Sequence, residues 1–127
     1  MAIDHIRISS RAKDQLTKIK RHTGIQHWNV VCRWAFCRSL AEPTPPADAD
    51  IPVDSNVEMT WKTFGGKSAE LYLALLKHRC WSDGLELEPA SLERQFRLHL
   101  HRGIGYLSAD RELRSISRLA GYVSKPA

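Results

Sequence analysis

The residues best equipped for chemistry in this chain are its histidines, its cysteines and one Gly-Lys-Ser tripeptide. His99-x-His101 would place two imidazoles on opposite sides of a helix, so they cannot pair like the i, i+4 histidines of HExxH. His78 and Cys80 share that spacing. Cys32 and Cys37, five apart, would be turned about 140° from each other on a helix, a poor start for one tetrahedral zinc. Cys32, Cys37 and Cys80 all lie in apolar helical runs, where a thiol tends to be inert. Phe64-Gly65-Gly66-Lys67-Ser68 ends like a phosphate-binding loop, but Trp61 stands where the upstream glycine is required. Carboxylates gather around 42–58 and at Glu86, Glu88 and Glu93, without the paired-acid pattern of a two-metal nuclease. The sequence therefore predicts no catalytic residue, no metal site and no cofactor, and an enzyme acting alone is the weaker hypothesis.

What remains is cationic chemistry. The 127 residues carry 19 Lys+Arg against 14 Asp+Glu, a formal net charge of +5. The charge is unevenly spread. Residues 1–40 hold eight basic side chains against two acids, giving +6, whereas residues 41–66 hold one against five, giving −4. Residues 67–127 hold ten against seven, giving +3. A basic arm masked by an acidic loop points to a polyanionic partner such as nucleic acid.

The elements that must position these charges can be read from periodicity. Ile6 and Ile8 alternate with His5 and Arg7, a short strand with a polar outer face. Ser9 or Ser10 can cap a following helix. Ala12, Leu16, Ile19 and Thr23 form its apolar stripe, ending at Gly24. Arg11, Asp14, Lys18 and Arg21 lie opposite, with Lys13 and Lys20 on the flanks. From Gln26 to Leu40 the apolar residues cover nearly the whole helical circumference, which predicts burial in a core or at a subunit interface. Residues 57–64 read as a second strand or an irregular segment. Helices are then expected from Lys67 to Trp81 and from Pro89, the latter with Leu92, Phe96, His99, Gly103 and Leu107 on one face. Asp110 would cap a last helix with Leu113, Ile116 and Ala120 inside and Arg111, Arg114 and Arg118 outside.

The fold class is therefore mainly α, one compact helical domain over 1–127. A strand–helix–helix unit spans about 4–42, a Pro/Asp loop 43–56, and a helical remainder 57–124. The first unit follows the order of ribbon-helix-helix proteins, in which two chains pair their strands into a ribbon that enters a groove of DNA. At 43% hydrophobic and 26% charged the chain is ordinary globular material. No apolar run approaches the roughly 18 residues of a membrane span. With no signal-peptide pattern and three cysteines lacking a CxxC, a cytoplasmic protein is expected.

Longer runs carry a family resemblance. Ile6-Arg7-Ile8-Ser9, Thr23-Gly24-Ile25, Trp28-Asn29-Val30, Cys32-Arg33-Trp34-Ala35-Phe36-Cys37, Ser39-Leu40-Ala41-Glu42-Pro43 and Ser55-Asn56-Val57-Glu58-Met59-Thr60-Trp61 resemble the DNA sulfur modification protein DndE family. So do Glu70-Leu71-Tyr72 and the run from Gln95 to Ile104. The resemblance implies a small bacterial protein of the Dnd system, which replaces a non-bridging phosphate oxygen of DNA with sulfur. It implies a homotetramer binding double-stranded DNA, preferentially nicked, through surface lysines. The implied companions are an ATPase, a cysteine desulfurase and an iron–sulfur sulfurtransferase component. Three cysteines fall short of a four-thiolate cluster set, as suits a non-redox partner.

The site residues expected to contact phosphate are Arg7, Arg11, Lys13, Lys18, Lys20 and Arg21, then Arg111, Arg114 and Arg118. Lys and Arg on one helix side neutralise phosphates and release counterions, giving sequence-independent binding that weakens with salt. Two alternatives stand beside this reading. One is a structure-specific nickase within the same system, motivated by the histidines near Arg97 and Arg102 and by the nicking role that the family resemblance implies. The other is a ribbon-helix-helix transcriptional regulator.

Overall fold

The computed structural model describes residues 3–110. A two-stranded antiparallel sheet and five α-helices follow one another as β1 His5–Arg7, α1 Ser10–Thr23, α2 Trp28–Leu40, β2 Glu58–Thr60, α3 Trp61–Gly65, α4 Ala69–Ser82 and α5 Pro89–Ala109, with a 3-10 turn at Gly66–Ser68 before α4. The predicted helix with Arg111, Arg114 and Arg118 lies outside the described residues. So does the rest of the helical remainder beyond 110.

Local signals set most boundaries. Ser9, in extended backbone, accepts the Ala12 N–H on its hydroxyl at 3.0 Å and starts α1. Gly24 closes that helix at φ 75°, a left-handed conformation that favours glycine. Thr60 caps α3 in the same manner as Ser9 caps α1, accepting the Thr63 N–H at 3.1 Å. Pro89 occupies the first turn of α5, where its missing N–H costs nothing.

The segment 57–64, open in the sequence, divides into β2 and α3. β1 lies antiparallel to β2 with His5 opposite Thr60, Ile6 opposite Met59 and Arg7 opposite Glu58. The strand–helix–helix order is present, and the strand that pairs with β1 comes from the same chain. Ile6 and Ile8 point inward while His5 and Arg7 point out.

α5 is the central element, packed against α2 and α1. Its 21 residues span about 31 Å. Leu92, Phe96, His99, Gly103 and Leu107 are all buried, as the period predicts. Gly103 is where α5 crosses α2, because a Cβ there would run into the Ala35 backbone carbonyl. Beside the crossing, Phe36, Trp61, Phe64 and Phe96 form an aromatic cluster, with Trp61 and Phe96 centroids 4.9 Å apart and edge to face.

α2 meets the core of its own chain with only one side of its apolar circumference. Val31, Cys32, Ala35, Phe36 and Ser39 are buried, but Trp34 is 48% exposed and Cys37 is exposed. An all-round apolar pattern fixes no single inward side. The close contact at Ala35 chooses it, and Trp34, one residue earlier, turns outward.

Candidate nucleic-acid interface

Successive residues of α1 rotate by about 100°. With Ala12, Leu16 and Ile19 on the core side, the predicted basic residues separate into two flanks and a crest. Lys13 and Lys20 fall on one flank, Arg11 and Lys18 on the other, and Arg21 near the crest beside Asp14.

The first flank is organised by neighbouring elements. Lys13 donates from Nζ to Asn56 Oδ1 at 2.6 Å. Lys20 Nζ sits 3.8 Å from the centroid of the Trp28 ring, a cation–π contact. Arg7 on β1 donates to Glu58 Oε2 at 2.8 Å, and this guanidinium holds the Glu58 carboxyl below its usual range. Lys13, Trp28, Asn56 and Glu58 line one shallow hollow. Arg7, Lys13 and Lys20 are thus brought together around it. Ion pairs this exposed contribute little to stability. Phosphate oxygens can displace such partners at small cost.

On the second flank, Arg11, Lys18 and the crest residue Arg21 make no side-chain hydrogen bond or ion pair with the described residues. Arg11 and Arg21 are exposed and Lys18 is half-buried. Arg111, Arg114 and Arg118 lie outside the described residues. The structure also supplies two residues absent from the predicted set. Trp28 stands beneath Lys20. Arg38, exposed at the end of α2, lies with its guanidinium 4.6 Å from the Tyr106 ring centroid. A Lys eight residues before a Trp across a glycine turn, and an Arg in a last helical turn, are signals too common to have singled these out.

The histidines and arginines of α5 do structural work. Ser39 Oγ and His99 Nδ1 share a 2.8 Å hydrogen bond in the core, and Arg102 Nε donates to the same hydroxyl at 2.9 Å. Arg102 also donates to the Ser39 carbonyl and, in the following loop, the Thr44 carbonyl, while Arg79 on α4 donates to the Leu40, Glu42, Pro43 and Thr44 carbonyls. The two guanidiniums thus gather carbonyls from the last turn of α2, at Ser39 and Leu40, and from the loop that follows it. Burial, reinforced by the charges of Arg79 and Arg102, pushes His99 down to about 4. His101 faces the other way, accepting the Ser9 N–H on Nε2 at 3.1 Å and donating from Nδ1 to the Arg97 carbonyl at 2.8 Å. Burial lowers its pKa too, and both imidazoles are neutral struts at neutral pH.

The thiols behave as two kinds. Burial pushes Cys32 up to about 12, and Cys80 is also buried and raised. Cys37, expected to be inert within an apolar run, is exposed, yet its pKa is still raised by partial desolvation. Among the described residues no group of three or more His, Cys, Asp or Glu could hold a metal ion. None of the described helices is long and apolar enough to cross a membrane.

Comparison with known proteins gives consistent results. The chain is similar to DndE from Escherichia coli B7A, whose crystal structure is described as involved in DNA phosphorothioation modification. The two are 26% identical with a TM-score of 0.71, over 84% of this chain and 98% of that one. A crystal structure of a double glycine-to-lysine mutant of DndE shares the fold, with a TM-score of 0.64 at 23% identity over 84% of this chain and 98% of that one. No curated protein sequence matches. The family model described as DNA sulphur modification protein DndE matches residues 5–115, and the chain accordingly belongs to the DndE family.

Proposed function

We propose that this DndE family member is the DNA-binding component of a cytoplasmic DNA phosphorothioation machinery, gripping double-stranded DNA, nicked in preference to intact, through its basic surface. The observation that carries the reading is the paired basic flanks of α1, with Arg7, Lys13 and Lys20 gathered around the Trp28 hollow. Arg11, Lys18 and Arg21 extend the same contact, and Arg111, Arg114 and Arg118 would add to it. Such a surface neutralises phosphates without reading bases. Its role is to hold DNA while the ATPase and the iron–sulfur sulfurtransferase component act. The histidines lend the nickase alternative no support, since His99 is sealed in the core and His101 spends both ring nitrogens on the backbone.

A homotetramer fits the exposed apolar side chains. Leu71 at 57%, Trp81 at 69% and Trp34 at 48% exposure are large hydrophobics that subunit contacts would cover. In a tetramer, repeated modest patches engage one duplex together.

The test is a mobility-shift series on nicked, intact and single-stranded DNA, with mass measurement of the assembly. If about six phosphates are neutralised, affinity for nicked duplex falls about a thousandfold between 50 and 200 mM salt. Salt-independent binding, or no binding, overturns the proposal.

A further inference from the structure

The second flank of α1 leads into a cleft of about 600 Å³, far larger than the Trp28 hollow. It lies between the first turn of α1, the last turns of α5 and the loop around 50–54. Its walls combine three chemistries. Ile51, Pro52 and the Tyr106 ring are apolar, Asp50 and Asp54 are anionic, and Arg11 and Arg102 are cationic. Gly105 adds an open stretch of wall, because a Cβ there would meet nothing within 4 Å.

Each component limits what the cleft can take. Asp54 receives the Ser10 N–H on Oδ1, and Asp50 receives Arg94 on Oδ1. The Ser10 N–H in particular holds the Asp54 carboxyl below its usual range, so it is an anion at neutral pH. Two carboxylates repel a phosphate inside the cleft but accept from amino groups. Guanidiniums lie over the Tyr106 ring, Arg38 at 4.6 Å and Arg102 at 5.9 Å from its centroid, so an entering base would stack against this phenol–guanidinium layer and displace the more distant Arg102. Phenol and guanidinium planes are both surfaces on which nucleobases stack. The volume lies within the range of small-ligand sites. Outside, Arg11 and Lys18 continue along the flank about 10 Å apart on the helix axis, where the backbone of a bound strand would run.

We propose that this cleft receives a single unpaired nucleobase carrying an exocyclic amino group, stacked on Tyr106 and read by Asp50 or Asp54, while its phosphates stay outside on Arg11 and Lys18. The inference rests on the DNA-binding reading and extends it, because a discontinuity in one strand is where a base can leave the stack. A free nucleotide shares the same chemistry, so the experiment separates the two sources.

The probes are a duplex with one bulged 2-aminopurine, the same duplex with that base paired, a duplex with a bulged thymine, and free deoxyadenosine monophosphate. The variants of the full chain are Gly105→Leu, which fills the cleft from a helical position with room for a side chain, and Tyr106→Leu, which removes the ring but keeps apolar bulk. The expected result is tighter binding of bulged 2-aminopurine than of paired by about 5- to 100-fold, the worth of one base–aromatic stack. Fluorescence should be quenched on binding, and bulged thymine should show less gain. Both variants should lose the preference while still binding the paired duplex like the wild type. Equal affinity for bulged and paired DNA overturns the inference and leaves the DNA-binding reading intact. A preference that survives Gly105→Leu also overturns it. If no duplex binds but the mononucleotide perturbs Tyr106 and Gly105→Leu abolishes this, the DNA-binding reading fails and the cleft stands as a site for a free nucleotide. If the mononucleotide is silent as well, both fail.

Discussion

Two regions of this molecule treat their charged and polar residues in opposite ways. Where α2 crosses α5, polar groups are sealed in. Ser39 and His99 are fully buried, Arg102 bonds three protein acceptors, and backbone meets backbone at Gly103. On the outer surface of α1, cations are held by single exposed partners or by none among the described residues. Desolvation makes the first arrangement rigid and intolerant of change, since a buried polar group left unpaired costs about 1–3 kcal/mol. The second can exchange its partners for phosphate because water already screens them. A scaffold and the proposed binding surface are thus separable, although they share one small domain.

The largest effect is expected at Gly103. Gly103→Ala drives a Cβ into the Ala35 carbonyl, and backbone cannot yield as a side-chain end can. The expected loss is about 3 kcal/mol, at the upper end for overpacking, read as a lowered urea midpoint. Full stability in that variant would mean that the helices are not in such close contact.

A pH titration probes the same region. The unfolded chain protonates its histidines near pH 6.5, while folded His99 resists until about 4. Between those values the unfolded state binds more protons, so stability falls as pH falls. His99 alone accounts for about 3 kcal/mol, fully present above pH 6.5 and lost progressively towards pH 4. His101 shifts in the same direction and adds to it. Denaturant unfolding from pH 7.5 to 4.5 checks this, and His99→Gln should flatten much of the slope. A steep slope unchanged by that variant would assign the effect elsewhere.

The smallest stability effect belongs to the proposed binding surface. Lys18→Glu should leave the urea midpoint within about 0.5 kcal/mol. Lys20→Glu should cost about 0.5–1 kcal/mol through the lost Trp28 contact. In DNA binding the order reverses, since each reversal should lower affinity on every sequence and reduce the salt slope by about 1. Lys18→Glu or Lys20→Glu that unfolds the protein, or Gly103→Ala that weakens binding of the folded fraction, would erase the distinction between scaffold and surface.

Helix periodicity and caps were legible because they depend on residues three to four apart. Ser9, Gly24 and Pro89 do in the structure what their types predict, and the buried face of α5 follows its apolar period. The partner of β1 was not legible, because it lies more than fifty residues away and β2 is only three residues long. Nor could the apolar circumference of α2 say which side faces inward.

The candidate site divides along the same line. Sequence alone determined that α1 is basic and amphipathic, with its cations facing away from the core, since charge and a 3.6-residue period are local properties. Tertiary packing is what gives the two flanks different neighbours. Trp28 and Asn56 meet one flank, and a loop and the end of α5 form a cleft beside the other. The reason is physical: which groups a side chain meets depends on how helices distant in sequence pack, and close contacts such as Gly103 on Ala35 fix that packing.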